Sequence, residues 1–310
     1  MPKPRTLDAT TVAIALASAL SIAGANAQSV FYPKIPQAAA SERYRLGAGV
    51  VLDYDSNLLR LPSRLSPADV GAGERSRGSL LTRALVEGAV SVPFSRQEFT
   101  ARTQVARHWY LNYGYLDHVA ANVDANLRWQ AGNLLGGNVG YVYDRSLAGL
   151  VDFRASERNM RTTRTAFANG ELVVHPRWRL YAGARHLTAS VSAAALRPSD
   201  LRQTTGELGI TYRASDPNFV RVLVGATRGE YPNRDAGGIF DNRFDQRDLA
   251  VEMRLALSSL SALSGRVGYT DRRHPIVAAR DFRGPTGDLR LDWGWSGKSG
   301  LVAGLRREIG

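Results

Sequence analysis

The sequence predicts an all-β protein, an antiparallel transmembrane β-barrel of about thirteen strands. Three features predict it: segments of alternating polar and apolar residues, short turns that alternate with long loops, and an N-terminal export signal. The segments have roughly ten residues each, which is the length that a tilted strand needs to cross a bilayer.

The first 27 residues have the features of a bacterial secretory signal. Lys3 and Arg5 precede the apolar run 11–20, and Ala25-Asn26-Ala27 fits a cleavage site. The run is too short for a membrane-spanning helix, which needs about 20 residues. We therefore expect residues 1–27 to be a signal peptide, 28–43 a periplasmic segment and 44–310 the barrel, located in the bacterial outer membrane.

The clearest strand pattern is the segment 117–129, DHVAANVDANLRW. Val119, Val123, Leu127 and other apolar residues alternate with residues that are polar except for Ala120. Because successive side chains of a strand point to opposite faces, this segment has one apolar face and one polar face. A helix, with its period of 3.6, would mix the two sets.

The same alternation recurs along the chain. The predicted strands are 44–54, 80–92, 98–110, 117–129, 134–144, 163–174, 178–187, 204–213, 219–230, 246–257, 262–271, 286–295 and 300–308. Arginine at the apolar positions Val123, Val251 or Leu291 is expected to destabilise the barrel, whereas arginine at the polar-face positions Asn122 and Ala250 should cost much less.

The connections also alternate in length. Short turns near Pro93, Gly132, Pro176, Asp216 and Ser259 alternate with long loops such as 55–79 and 145–162. This segregation is typical of an outer-membrane barrel. Bacterial single-chain barrels have an even number of strands, so an odd count predicts that the chain is a truncated version of a larger, even-stranded barrel.

Composition limits the classes of partner and site. The net charge is +12, and the sequence contains no cysteine, which excludes disulfides and thiolate metal sites. A basic excess of this size is compatible with an acidic polymer or an anionic membrane surface, whereas export argues against nucleic acid. Outer-membrane lipid is therefore one expected partner.

Several short segments resemble one family. Tyr54-Asp55-Ser56-Asn57-Leu58-Leu59-Arg60-Leu61-Pro62, Gly229-Glu230-Tyr231-Pro232-Asn233-Arg234 and the segments 263–272 and 280–284 are similar to segments of EpsL-type proteins. These are outer-membrane barrels of exopolysaccharide biosynthesis, often found beside exosortase systems. The resemblance covers residues 44–307 and implies a role in making or exporting an extracellular polysaccharide, with other export components as partners.

No pattern of catalysis or metal binding is present. The five histidines, His108, His118, His175, His186 and His274, lack metal-ligand spacing, and neither a G-x-S-x-G elbow nor a phosphate-binding loop occurs. The sequence therefore predicts no enzyme, cofactor or metal site. A barrel hydrolase with a Ser–His–Asn constellation remains an alternative, because sequence spacing does not constrain residues on neighbouring strands.

Arginines on the predicted polar faces are the candidate ligand-binding residues. They are Arg45, Arg83, Arg102, Arg128, Arg254, Arg266 and Arg290, with Arg185 and Arg306 on the same faces. One interpretation is an electropositive path for an anionic polysaccharide, since guanidinium groups bind carboxylates bidentately. The other is that they pair with Glu87, Asp124, Glu207, Glu252 and Asp288 to fill the lumen. A general anion-selective porin is an alternative function.

Overall fold

The computed structural model describes residues 13–14, 43–73, 75–149, 157–234, 241–295 and 299–309. The predicted signal peptide and periplasmic segment lie outside this part of the chain, apart from residues 13, 14 and 43. Ala13–Ile14 (β1) pairs in parallel with Gly47 and Ala48.

The described residues form an all-β fold. The strands are β2 (Tyr44–Asp55), β3 (Ser79–Phe94), β4 (Gln97–Tyr110), β5 (His118–Ala131), β6 (Leu135–Leu147), β7 (Met160–His175), β8 (Trp178–Val191), β9 (Leu201–Ser215), β10 (Asn218–Glu230), β11 (Arg243–Ala256), β12 (Ser261–Arg273), β13 (Phe282–Gly294) and β14 (Gly300–Arg307). Short 3₁₀ turns occur at Ala68–Val70, Gly114–Leu116, Ala194–Ser199 and Ala278–Arg280. In the part of the chain that the structure describes, no helix is long and apolar enough to cross a membrane.

Each strand is hydrogen-bonded to its neighbours in sequence, in the order β1 to β14. The prediction of an all-β, antiparallel fold is confirmed, and the thirteen strands β2–β14 correspond one to one with the predicted segments. The last strand, β14, pairs with β13 and is exposed along its whole length. Closure into a barrel stays a prediction.

Strands β2 to β13 have 12 to 16 residues each, more than the ten or so predicted. Most of the additional residues extend the strands toward the long loops, where charged side chains replace apolar ones. Strand β11, for example, begins at Arg243, three residues before the predicted segment 246–257, and the added residues include Arg243 and Asp245. The apolar alternation that marks a strand in the sequence therefore detects only the apolar part of it.

The chain folds into two compact units. Unit 1 comprises Met1–Val92, Thr100–Asp124 and Asp144–Arg161, and unit 2 comprises Pro93–Phe99, Ala125–Tyr143 and Thr162–Gly310. Unit 1 has a small core in which loop residues pack against strand ends. Its buried apolar members are Leu58, Leu59, Leu61, Ala72, Tyr110, Tyr113 and Leu116.

Along β8 to β11 of unit 2, the apolar face of the sheet is the more exposed one. Val222 and Val224 of β10 are 49% and 54% exposed, whereas Leu223 between them is 1% exposed. The neighbouring strands agree, because Leu249 is exposed and Thr211 is fully buried. A soluble sheet would bury its apolar side, so this sheet has the opposite distribution. We call the side of Val222 and Val224 the apolar face and the other side the polar face.

Candidate functional site

Unit 2 carries a charged cluster on its polar face, centred on Glu171. Three arginines from neighbouring strands converge on this carboxylate. Arg179 Nη1 lies 3.2 Å and Arg213 Nη2 3.5 Å from Oε2, and Arg221 Nη2 contacts Oε1. Arg221 Nη1 also lies 3.2 Å from Glu252 Oε2. We call these five residues the Glu171 cluster. Arg213 Nη1 also lies 2.9 Å from Asp216 Oδ1, so three carboxylates in all pair with the three guanidinium groups.

Neighbouring side chains hold Arg221 in place. Its Nε donates to Thr211 Oγ1 at 2.8 Å, and its guanidinium carbon lies 4.0 Å from the ring centroid of Tyr181 and 5.4 Å from that of Phe219. Strand pairing explains the arrangement, because Arg221 is the direct partner of Thr211 on β9 and of Glu252 on β11. A guanidinium held on several sides contributes fixed positive charge rather than a mobile side chain.

Of the arginines that the sequence predicts as ligand-binding residues, those in unit 2 divide into paired and unpaired groups. Arg266 Nη1 lies 2.7 Å from Glu207 Oε1, Arg128 Nη2 2.7 Å from Glu98 Oε2 and Arg290 Nη2 2.8 Å from Asp292 Oδ1. Arg254 and the additional candidate Arg185 are exposed, and no ion pair with another described residue involves either. The pairing with Glu207 agrees with the salt-bridge interpretation.

In unit 1, the predicted arginines differ in burial. Arg83 is 5% exposed, and its Nη2 lies 3.8 Å from Asp53 Oδ2. Arg45 lies on the same face, since it pairs with Ala89 while Arg83 pairs with Val51. Arg102 is exposed, with no ion pair within the described residues. Only Arg102 of these three presents a freely accessible guanidinium to solvent.

A small cavity in unit 1 brings together the residue types that the hydrolase alternative requires. Its volume is about 70 Å³, and its lining includes His108, Asn122, Asp144 and Ser146. Ser146 Oγ donates to Asp144 Oδ1 at 3.1 Å, and the ring of His108 stacks on His118 with 4.4 Å between centroids. In a nucleophilic site, the serine and the histidine are within hydrogen-bond reach of each other. Among the described contacts, Ser146 bonds to the aspartate instead.

No group of three or more His, Asp or Glu side chains within the described residues could hold a metal ion. Several of the histidines contact an aromatic ring or a hydroxyl group. His108 and His118 stack in unit 1, whereas His186 accepts or donates a 2.9 Å hydrogen bond with Thr204 Oγ1 in unit 2.

The segment 54–62, which carries much of the family resemblance, builds a loop. Asn57 donates from Nδ2 to the carbonyl of Leu61 at 2.9 Å, and its Oδ1 accepts the N–H of Leu61 at 2.9 Å. Arg60, with a φ of 53°, pairs with Asp55 at 2.9 Å. These bonds close a compact turn that directs Leu58 into the core of unit 1.

The loop 56–78 is held by a tyrosine of the loop 111–117 and by an arginine of its own. Tyr113 donates its hydroxyl to the carbonyl of Ser76 at 2.7 Å, and burial raises the pKa of Tyr113, which keeps this donor protonated. Arg77 donates to the carbonyl oxygens of Leu61 and Leu65 at 2.9 and 3.0 Å. The long loop of unit 1 is therefore a packed structure.

The segment 229–234 begins a long loop of unit 2, and its side chains help to hold that loop in place. The Arg234 guanidinium carbon lies 3.7 Å from the ring centroid of Tyr231, and its Nη1 donates to the carbonyl of Asp241 at 2.9 Å. The Asp241 carboxylate is fully buried and accepts the N–H groups of Ile276 and Val277 at 2.6 and 2.9 Å. One carboxylate thus joins two long loops.

The sequence reasoning missed Arg179, Arg213 and Arg221. Counting in steps of two places all three on the polar face, but Phe219 and Leu223 occupy the same face of β10 and hide the alternation. Comparison with models of protein families and with curated proteins finds no match for this chain.

Proposed function

We propose that this protein is an outer-membrane β-barrel that acts without catalysis in the export of an anionic exopolysaccharide. The observation that carries the proposal is the exposed apolar face, which a protein surrounded by water would bury. A lipid bilayer is the environment in which such a face is stable, and spanning strands must satisfy all backbone groups by pairing.

The aromatic residues of unit 2 support this environment. Trp178 packs against Tyr212 with ring centroids 5.1 Å apart, and Trp293 against Trp295 at 5.7 Å, all at the short-turn end of the sheet. Aromatic side chains with a polar atom favour the boundary between lipid and water. Their position at strand ends is what a membrane-spanning sheet requires.

The polar face supports a path for an anionic polymer. The exposed guanidinium groups of Arg185 and Arg254 in unit 2 have no carboxylate partner within the described residues. Such groups bind carboxylates through short, charge-assisted hydrogen bonds that are weak when exposed to solvent. Weak, repeated contacts allow a polymer to move along the wall. The family resemblance points to the same substrate class.

A strain that lacks the gene tests the proposal. We expect the strain to lose extracellular polymer, and the intact gene to restore it. A double variant, Arg185→Gln and Arg254→Gln, should restore markedly less polymer than the matched variant with lysine at both positions, because lysine keeps the charge. Folding of both variants is checked by the difference in gel mobility between unheated and boiled samples.

Three other results would contradict the proposal and favour a different assignment. Normal secretion by the deletion strain together with chloride conductance of the purified protein would identify a diffusion porin. Turnover of lipid or polysaccharide by the purified protein would identify a hydrolase. A mature protein that stays soluble without detergent would exclude the membrane assignment altogether.

A further inference from the structure

The apolar face of unit 2 ends in a band of arginines on the side of the long loops. We call it the arginine rim. Strand pairing places its members on the same face as Val222 and Leu249, since residues two apart share a face. The rim consists of Arg202, Arg228, Arg243, Arg247, Arg273 and Arg283, with the acidic residues Glu230, Asp245 and Asp271 among them.

The rim has more positive charge than its own carboxylates neutralise. Arg228 Nε lies 3.1 Å from Asp245 Oδ1, and Arg273 Nη2 lies 3.0 Å from Asp271 Oδ2. The remaining arginines form no ion pair with any described residue; they are Arg202, Arg243, Arg247 and Arg283. An exposed, uncompensated set of guanidinium groups is complementary to a surface of phosphate groups.

The height of the rim matches the boundary of a bilayer. Leu257, which directly follows the lower end of β11, and Arg247 in the rim are ten positions apart. This is about 34 Å along a strand, or about 25 Å along the membrane normal at a tilt of roughly 40°. The apolar band of outer-membrane barrels has about this thickness. In a bilayer that covers this face, Arg247 would therefore lie at the level of the lipid headgroups.

The two ends of the apolar face differ in chemistry. The lower end, near the short turns, carries Trp178, Tyr212, Trp293 and Trp295, while the upper end carries the arginine rim. A symmetric bilayer gives no reason for such a difference. A membrane whose outer leaflet is rich in phosphorylated lipid does, because basic residues near an anionic surface contribute binding energy.

An apolar groove lies directly below the rim. Its volume is about 1020 Å³, at the upper limit of typical ligand pockets, which span roughly 300–1,000 Å³. Its lining includes Ala182, Leu208 and Val224, which form one row across three strands. The next row upward consists of small residues, Ala184, Gly206 and Ala226, and ends at Arg247, the pairing partner of Ala226.

This arrangement suits an amphiphile. Because the residues beside Arg247 are small, its side chain borders the groove and can reach a group seated above it. The row above contributes Arg228, Thr204 and His186, all polar. An acyl chain fits the lower rows and a phosphate fits the upper ones. A polysaccharide without acyl chains would leave the apolar groove unused.

We propose that the groove and the arginine rim of unit 2 bind a phosphorylated glycolipid of the outer leaflet. Its acyl chains occupy the groove, and a phosphate contacts Arg247 and Arg228. The inference rests on the proposed function to the extent that the apolar face must lie in a membrane. It adds a specific lipid partner and an orientation, with the long loops on the phosphorylated side.

Binding of purified lipid A to the folded protein in detergent tests the inference by native mass spectrometry. We expect the bis-phosphorylated form to bind more tightly than the dephosphorylated form with the same acyl chains. The double variant Arg228→Gln, Arg247→Gln should weaken binding of the bis-phosphorylated form by about 30-fold, because each basic residue near an anionic surface contributes roughly a factor of five. Binding of the dephosphorylated form should not change.

A matched control removes the same charge from the polar face through Arg185→Gln and Arg254→Gln, and it should bind lipid A as the wild type does. Gly206→Phe tests the groove separately, since no atom lies within 4 Å of a β-carbon added at this position. It should weaken both forms of lipid A. If the double variant does not fold, the comparison of the two lipids on the wild type still shows whether the phosphate groups contribute to binding.

Equal binding of the two forms by a folded, membrane-inserted protein would overturn the glycolipid inference and leave the membrane assignment intact. Equal losses in the rim variant and the polar-face control would also overturn it, because they would show an effect of net charge alone. Failure of the wild type to insert into vesicles of neutral lipid would instead contradict the proposed function.

Discussion

The ring of Phe244 lies over Gly229, in the space that a β-carbon at position 229 would occupy. Phe244 is 2% exposed and packs on the polar face with Tyr231, at 6.1 Å between ring centroids, and under the guanidinium of Arg272, at 4.3 Å. A glycine on one strand thus receives an aromatic ring from the next, which fixes the pairing of β10 with β11.

Gly229→Ala should destabilise the protein by about 1–3 kcal/mol, because the added methyl group displaces the ring of Phe244. The free energy of unfolding in urea, measured in detergent, checks this value. Gly206→Ala is the control, since the space around its β-carbon is empty within 4 Å, and it should change stability by less than about 0.5 kcal/mol. Equal effects of the two substitutions would mean that Phe244 does not pack as described.

Asn57→Ala should loosen the loop 56–78, since it removes both side-chain hydrogen bonds to Leu61. A lost pair of partly buried bonds costs about 2 kcal/mol locally. Limited digestion with trypsin should then cut after Arg60 and Arg64 faster than in the wild type. Ser63→Ala, at an exposed position of the same loop, should leave the rate unchanged. Unchanged cleavage of the Asn57 variant would contradict the role of this side chain.

Adjacent residues of β5 offer a matched test of the two faces. Val123→Arg places a charge on the side of β5 that the sequence predicts to face lipid, and it should cost about 2–4 kcal/mol near the bilayer midplane. Asp124→Arg places the same side chain on the other side of β5, at an exposed position, and it should cost less than about 1 kcal/mol. Urea titration of both folded variants in lipid vesicles measures the difference. A larger cost at Asp124 would show that the faces are inverted.

Arg221→Gln should destabilise the protein by about 2 kcal/mol, because it removes charge-assisted bonds to Glu171 and Glu252 in a partly buried cluster. Arg254→Gln is the control, since this arginine is exposed and pairs with no described carboxylate. The comparison uses the midpoint of unfolding in urea. Equal midpoints would show that the Glu171 cluster contributes no more than solvated charges do.

The strands and their faces were accessible to sequence reasoning because they depend on local alternation. Arg254, Arg266 and Arg290 lie on the polar face, as counting in steps of two along each strand predicts. The thirteen strands β2–β14 correspond to thirteen predicted segments for the same reason. Alternation within one strand needs no knowledge of the neighbouring strands.

Contacts between strands were not accessible in this way. Glu171 meets Arg221 across fifty positions in sequence, and only the stagger of β7 to β10 brings the two together. A change of two residues in the stagger would keep every face and break this pair. The missed cluster therefore depends on register, which composition and alternation leave undetermined.

The burial of Ala250 argues, for a related reason, against the prediction that arginine costs little at this position. Ala250 lies on the polar face, as predicted, but it is 4% exposed and sits against Gly268 of β12. The odd or even position of a residue along a strand gives its face, but the side chains of the neighbouring strand determine whether a larger side chain fits there.

Contact between the apolar face and lipid is the central claim, and nitroxide labels along β10 test it most directly. The sequence has no cysteine, so single cysteines at positions 220 to 226 can each be labelled uniquely in vesicles. At Val222 and Val224 we expect access to oxygen, which dissolves in lipid, and protection from a water-soluble nickel chelate. The labels at Arg221 and Gly225 should show the opposite preference, with a period of two. Access of the chelate to all four positions would contradict the account.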